Sequence, residues 1–141
     1  NNVLTSIAGL QGLTTLNSYA MIRNNTLLVD LDGLANIDAV GGYLQINDND
    51  SLQNLDALSN VTRIDGYLTI KSNLVLNSIS GLNNVVEVDG TLPEDDGLWA
   101  ITITDNIALC QSEVDSVVAD MVYTSGDVRT SGNATCTDGG L

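Results

Sequence analysis

The sequence repeats a pattern of apolar and polar residues every 24 positions over most of its length. Leu44 returns as Leu68, and Asn49 is flanked at the same interval by Asn25 and Asn73. Three aliphatic columns show the same period: Leu10, Leu34, Leu58 and Leu82; Leu13, Ile37, Val61 and Val85; Leu16, Val40, Ile64 and Val88. Such a period is typical of stacked coils that bury their apolar sides only against one another. The sequence therefore predicts a mainly β solenoid, a right-handed parallel β-helix or leucine-rich-repeat array.

Each repeat contains one short segment in which apolar and polar residues alternate in steps of two, which predicts a β-strand. The predicted strands are residues 19–23, 43–47, 67–71 and 100–104. Alternation places Leu44 and Ile46 inside the stack and turns Tyr43, Gln45 and Asn47 outward. Equivalent strands of successive coils are then expected to pair in parallel, about 4.8 Å apart.

The segments between the strands carry an apolar residue at every third position, as at Leu55 and Leu58. Glycines such as Gly33 and Gly81 favour short arcs and turns there over a regular α-helix. An asparagine follows each predicted strand: Asn25, Asn49, Asn73 and Asn106. At a bend, these amides can satisfy backbone groups and bond to one another, which predicts a structural role. A glycine precedes three strand positions, where we expect a corner with positive φ: Gly42, Gly66 and Gly90.

Composition excludes several classes of function. With 18 acidic and 4 basic residues the formal net charge is −14, so nucleic acids and anionic membranes are repelled. Histidine is absent, which removes His-based catalytic triads and the usual zinc sites. Acidic pairs such as Asp48 and Asp50 do not match an EF-hand loop. We therefore expect no enzyme activity, no cofactor and no metal, and no apolar run approaches the roughly 18 residues of a membrane-spanning helix.

The regular pattern is interrupted once and then ends. An insertion at about residues 91–99 precedes the last predicted strand, and it contains Trp99, which either covers a gap in that coil or contributes to recognition. We predict a repeat region over residues 1–109 and a C-terminal cap over residues 110–141. Helical spacing predicts a capping helix at about residues 112–122, with Ser112 and Asp115 as its N-cap pair. Cys110 and Cys136 flank this segment and are predicted to form a disulfide.

Four triplets fit the acceptor pattern for N-glycosylation, at Asn24, Asn49, Asn60 and Asn133. Asn49 belongs to the column that is expected to be buried, so Asn60 and Asn133 are the better candidates. Together with the cysteine pair, these triplets favour an extracellular or cell-surface glycoprotein.

The segment Asp-Asn-Ile-Ala-Leu-Cys at residues 105–110, followed by the predicted helix, resembles the C-terminal end of a receptor L domain. This leucine-rich module occurs in the growth-factor and insulin receptor families. The repeated pattern extends the resemblance to residues 1–110. The resemblance implies a secreted or cell-surface recognition module whose parallel sheet meets its ligand.

The outward strand positions form the predicted binding face. Its members are Tyr19, Met21, Arg23, Tyr43, Gln45, Asn47, Tyr67, Thr69, Lys71, Thr102 and Thr104. Three of the four tyrosines share one column there, and they either contact a protein or glycan partner or stack to stabilise the strands. We expect this face to carry the principal contact.

A second function class remains open at the N-terminal end. The apolar pattern starts at once with Leu4 and Ile7, which predicts an uncovered first coil. A trimmed sequence, a preceding domain or end-to-end contact with copies of the same chain would each account for it. The alternative function is therefore a structural subunit of an extracellular layer or filament.

Overall fold

The computed structural model describes residues 1–90 and 99–136 of the 141-residue chain. Its strands form two parallel sheets. Sheet I has the order β1 (Ala20–Arg23), β3 (Leu44–Asn47), β5 (Leu68–Lys71), β7 (Trp99–Thr104) and β9 (Asp127–Ser131). Sheet II has the order β2 (Ala39–Val40), β4 (Arg63–Ile64), β6 (Glu87–Val88) and β8 (Val122–Tyr123). The two sheets are compatible with the predicted solenoid, because every neighbouring pair of strands is parallel.

The register of sheet I confirms the four predicted strands. Leu44 pairs with Leu68, and Leu68 pairs with Ile101, so the pattern resumes after the insertion as predicted. The insertion itself lies outside the described residues, except for Trp99 at the start of β7. Sheet II and strand β9 were not predicted. Most strands of sheet II are two-residue segments within the pattern that has an apolar residue at every third position, and this pattern does not indicate strands.

Short arcs connect the sheets, as the sequence predicted. Four 3₁₀ turns occupy Ala8–Leu10, Asp32–Leu34, Asp56–Leu58 and Ser80–Leu82. Neighbouring arcs approach so closely that a Cβ at Gly33 would collide with the carbonyl oxygen of Ile7. Glycine is therefore required here by packing, because any side chain would push the arcs apart.

The core consists of stacked aliphatic side chains, and it confirms the predicted inward columns from Leu34 onward, whereas Leu10 and Leu13 of the first coil are exposed. Leu44, Ile46, Leu68 and Ile70 are all buried. The largest fully buried side chains are Leu28, Leu31, Ile37, Leu44, Ile46, Leu52, Leu55, Leu58, Ile64, Leu68, Ile70 and Leu76. Each buried aliphatic side chain contributes about 1.5–3 kcal/mol of transfer free energy, so stacking supplies the stability that a single coil lacks.

The predicted glycine corners are partly wrong. Gly90 has a φ of 68°, as expected, but Gly42 and Gly66 are not in the positive-φ region. A Cβ at Gly42 would lie 2.9 Å from the backbone nitrogen of Tyr19, so this glycine allows close approach of two coils. Positive φ occurs instead after the strands, at Asn24, Asp48, Ser72 and Asp105.

The C-terminal helix α1 (Gln111–Ala119) is shorter than predicted. The predicted N-cap pair is wrong: Cys110 is the N-cap residue, because its backbone is still extended, and Ser112 is already inside the first turn. Asp115 instead accepts a hydrogen bond from Nε2 of Gln111 at 2.7 Å. Val122, predicted at the end of the helix, belongs to β8 and is 63% exposed.

The helix does not close the stack alone, and its predicted role as a lid is not confirmed. It lies beside the arc Ser80–Leu82, where the Glu113 carboxylate accepts hydrogen bonds from the Ser78 hydroxyl and the Ile79 amide. The chain then adds one strand to each sheet. The predicted disulfide between Cys110 and Cys136 is confirmed, with Cα atoms 5.3 Å apart.

Candidate functional site

The carboxyl ends of the sheet I strands are held by a continuous ladder of buried amides. Asn49 is typical: its Nδ2 donates to the Ile22 carbonyl at 2.9 Å and to Asn73 Oδ1 at 3.2 Å. The same Oδ1 also accepts from the Asn49 backbone N–H at 3.1 Å. The asparagine ladder comprises Asn25, Asn49, Asn73, Asn106 and Asn133. The predicted structural role of the first four is confirmed.

The last rung of this ladder was missed by sequence reasoning. Asn133 follows Asn106 by 27 residues, so it falls outside the 24-residue period. Its Oδ1 accepts from the Asn106 amide at 3.2 Å, and its Nδ2 donates to Gln111 Oε1 at 3.0 Å. Gln111 therefore takes the place of a further asparagine and ends the ladder. The ladder therefore runs along the carboxyl edge of sheet I from β1 to β9.

The outer face of sheet I carries a tyrosine ladder, defined as Tyr19, Tyr43 and Tyr67. The ring centroids of Tyr19 and Tyr43 are 4.8 Å apart with an interplanar angle of 7°, and those of Tyr43 and Tyr67 are 4.6 Å apart at 5°. These separations match the spacing of about 4.8 Å between strands. Contact between ring carbons requires only about 3.5–4.0 Å, so the rings stack with an offset, the arrangement that aromatic quadrupoles favour.

Stacking determines what the tyrosine ladder can offer a partner. Tyr43 has a ring against each of its faces, so only its edge and hydroxyl face outward. Its hydroxyl lies 3.5 Å from the sulfur of Met21, and Gln45 Nε2 donates to the Tyr67 hydroxyl at 3.0 Å. The face of Tyr43 is therefore unavailable for stacking on a ligand, whereas Tyr19 is 55% exposed.

The polar columns beside the ladder are mostly where the sequence placed them. Gln45, Asn47, Thr69 and Thr102 are half-buried, while Met21, Arg23 and Lys71 are exposed. Thr104 is a correction: it lies in the register between Lys71 and Ser131, and only 3% of its surface is exposed. Its short side chain is covered between flanking strands, so it offers no contact to a partner.

Two further residues join this face and were not predicted. A β-bulge between Trp99 and Ile101 leaves Ala100 buried and Trp99 37% exposed. Trp99 thus follows the tyrosine ladder at the start of β7. On β9, exposed Arg129 pairs with Thr102 and extends the column of Met21. The 24-residue period does not predict β9, because the helix separates this strand from the repeats.

The scarce cations concentrate on this face. Three of the four in the chain, Arg23, Lys71 and Arg129, lie on sheet I. The fourth, Arg63, lies on sheet II, where it is 2.5 Å from Asp65 and 3.8 Å from Glu87. Within residues 1–90 and 99–136, no carboxylate lies within 4.0 Å of Arg23 or Arg129. Two guanidinium groups of an acidic protein therefore have no ion pair with the carboxylates that the structure describes.

The glycosylation candidates separate by burial. Asn49 is buried and its amide nitrogen bonds within the ladder, so the folded protein excludes it as an acceptor. Asn133 is half-buried and is engaged by Ile103 and Gln111, which corrects its ranking among the better candidates. Asn24 and Asn60 are exposed, although Asn60 Nδ2 donates to the Ala35 carbonyl at 2.7 Å, and the modification of both stays a prediction.

Metal-binding groups and membrane-spanning helices are both absent from the described residues. Among them, no three His, Cys, Asp or Glu side chains form a group that would hold a metal ion. In the same part of the chain, no helix combines the length and hydrophobicity needed to cross a membrane.

The described structure thus consists of two parallel sheets, one of which has an ordered polar and aromatic outer face. The model of the receptor L domain family matches residues 38–138, well over half of the chain. The chain therefore belongs to the receptor L domain family, and the resemblance noted in the sequence is confirmed. Comparison with curated proteins found no match, and comparison with solved structures found none. Receptor L domains are extracellular, non-catalytic modules that bind protein ligands.

Proposed function

We propose that the chain is a non-enzymatic, extracellular recognition or adhesion module that binds a protein or glycan partner through the outer face of sheet I. The observation that carries this proposal is the concentration of three of four cations and a stacked tyrosine ladder on one face. Tyrosine and arginine are enriched at interfaces, and rings already ordered by stacking lose little entropy on binding.

The proposal includes the architecture that presents this face. The preserved register of both sheets supports a solenoid in which residues 1–109 form the repeats, and a right-handed course is expected because crossovers between parallel strands are almost always right-handed. Residues 110–141 are proposed to act as the C-terminal cap, whose described parts are the helix, β8, β9 and the disulfide. This division predicts that the cap stabilises one end and leaves the sheet face free for a partner.

The test compares tyrosines on the two sheets. Tyr43 and Tyr67 are changed together to Ser, and Tyr123→Ser, in the exposed strand β8 of sheet II, serves as the matched control. Binding of the three purified proteins is measured on arrays of extracellular proteins and glycans, and a thermal melt of each is recorded. We expect the double variant to lose about 30-fold or more in affinity for whichever probe binds, as for interface anchors.

The control should bind normally. A double variant that binds as well as the unchanged protein but melts much earlier would show that the tyrosine ladder is structural only. The proposed site would then be wrong, even if the family assignment holds.

The second candidate function is a structural subunit that assembles end to end. It is favoured by Leu10, which is 43% exposed, whereas its repeat equivalent Leu34 is buried. Apolar contact through this end would bury such side chains in a filament or layer. Size-exclusion chromatography and electron microscopy of the native particle distinguish the two: the recognition module stays monomeric, and the subunit forms concentration-dependent polymers.

A further inference from the structure

The cations on the outer face of sheet I lie on alternate strands. Arg23 lies on β1, Lys71 on β5 and Arg129 on β9, which are the first, third and fifth strands of the sheet. Two strand intervals correspond to about 9.6 Å. Arg23 and Lys71 share one row of the register through Asn47, and Arg129 lies one outward row away. The step from Arg23 to Lys71 is therefore about 9.6 Å, whereas the step from Lys71 to Arg129 adds a shift of about 7 Å along the strands and is about 12 Å in all.

These charges are available to a partner. Arg23 and Arg129 have no ion pair within the described residues, and Lys71 approaches the exposed Asp105 carboxylate only at 4.0 Å. Exposed pairs of that kind contribute about 0–1 kcal/mol, so Lys71 is readily recruited. In a chain with 18 acidic residues, unpaired cations on one face point to an external anion.

We propose, on the basis of the recognition face described above, that the partner contains an extended peptide segment with an acidic residue at every third position. In polyproline II conformation such a segment has three residues per turn and rises about 3.1 Å per residue. Its acidic side chains then project from one side at intervals of about 9.3 Å. That step matches the spacing of Arg23 and Lys71, with the peptide lying across the strands, and the longer step of about 12 Å to Arg129 is left to its extended side chain.

The neighbouring side chains favour a peptide over a glycan. Sugar rings bind proteins through the faces of aromatic rings, and both faces of Tyr43 are covered by Tyr19 and Tyr67. A polyproline II segment instead exposes its backbone carbonyl and N–H groups without internal hydrogen bonds. Gln45, Thr69 and Thr102 line the middle of the face and supply donors and acceptors for them.

The experiment uses a synthetic nonapeptide, Glu-Pro-Pro repeated three times, as the probe. It is titrated into the ¹⁵N-labelled protein at low salt, and amide shifts report both affinity and location. We expect shifts on β1, β5 and β9, weakened as salt rises. Arg23→Gln, Lys71→Gln and Arg129→Gln should each reduce affinity about two- to fivefold. Arg63→Gln removes the same charge from sheet II and should leave affinity unchanged.

Spacing is tested with a second peptide, Glu-Pro-Glu-Pro-Glu-Pro-Pro-Pro-Pro, which has the same charge in a shorter interval. Equal binding by the two peptides, or equal weakening by Arg63→Gln, would overturn the inference. An oligouronate that shifts sheet I where the first peptide does not would overturn it too, while the recognition face would stand. Should no probe shift sheet I and the Tyr43 and Tyr67 double variant also keep its array binding, both proposals fail.

Discussion

The asparagine ladder and the tyrosine ladder run across the same sheet with the same spacing, but they differ in burial and in hydrogen bonding. Asn49 and Asn73 are buried, and each side chain bonds to backbone groups of two repeats. Within the described residues, the Tyr43 side chain touches its neighbours through ring contacts and a long hydroxyl–sulfur approach. Repetition alone therefore determines only where a column of equivalent residues lies in the sheet. Burial and hydrogen bonding determine whether that column stabilises the fold or is left exposed to a partner.

The largest expected effect is in the middle of the asparagine ladder. Asn73→Ala removes the acceptor of the Asn49 amide and the donor to the Ile46 and Lys71 carbonyls. Buried groups left without a partner cost about 1–3 kcal/mol each. We expect the free energy of unfolding to fall by about 3–5 kcal/mol, measured by urea denaturation with the disulfide intact.

The matched control is Asn77→Ala, four residues further along the same repeat. Asn77 is exposed, and its side chain makes no hydrogen bond within the described residues. Its substitution should change stability by less than about 0.5 kcal/mol. If the two variants were equally stable, the distinction between the ladders would lose its energetic basis.

Strict periodicity explains how much of the fold was predictable. Leu44, Asn49 and their repeats are fixed by a step of 24, so their sheet, core and ladder follow from the sequence. Asn133 was not predicted as a member of the ladder, because the helix lies between it and Asn106 and their separation is 27 residues instead of 24. Sheet II was not predicted, because the pairing of two-residue strands depends on how the arcs stack, and no local sequence pattern indicates that stacking.

The candidate surface was predicted less completely, for reasons of local geometry. Outward positions follow from alternation, but alternation does not report how far neighbouring strands cover a short side chain such as Thr104. The bulge that leaves Trp99 exposed requires the pairing of β7 with β9. Arg129 joins the face only through the same pairing, so the third cation was visible only in three dimensions.

A second, smaller effect is expected at the end of the asparagine ladder. Inner rungs have an asparagine on both sides, whereas Asn133 is followed by Gln111 and lies three residues before Cys136. Replacing both cysteines with Ala opens a loop of 26 residues and should cost about 3 kcal/mol in the chain-entropy model. Hydrogen exchange should lose protection at the Asn106 amide, which donates to Asn133, and keep it at Asn49. Uniform loss along the ladder would contradict this local role.

The smallest effect on stability is expected in the tyrosine ladder. Tyr43→Ser removes two ring pairs, and Tyr19→Ser removes one. Cross-strand pairs contribute about 0.2–1 kcal/mol each, so we expect losses of roughly 1 kcal/mol and half of that. Tyr43→Phe keeps both ring pairs and loses only the hydroxyl near Met21, so it should unfold almost as the unchanged protein does in urea. A Tyr43→Ser loss as large as that of Asn73→Ala would make both ladders structural. The order of these losses, set beside the binding results, therefore separates a surface kept for a partner from one kept for the fold.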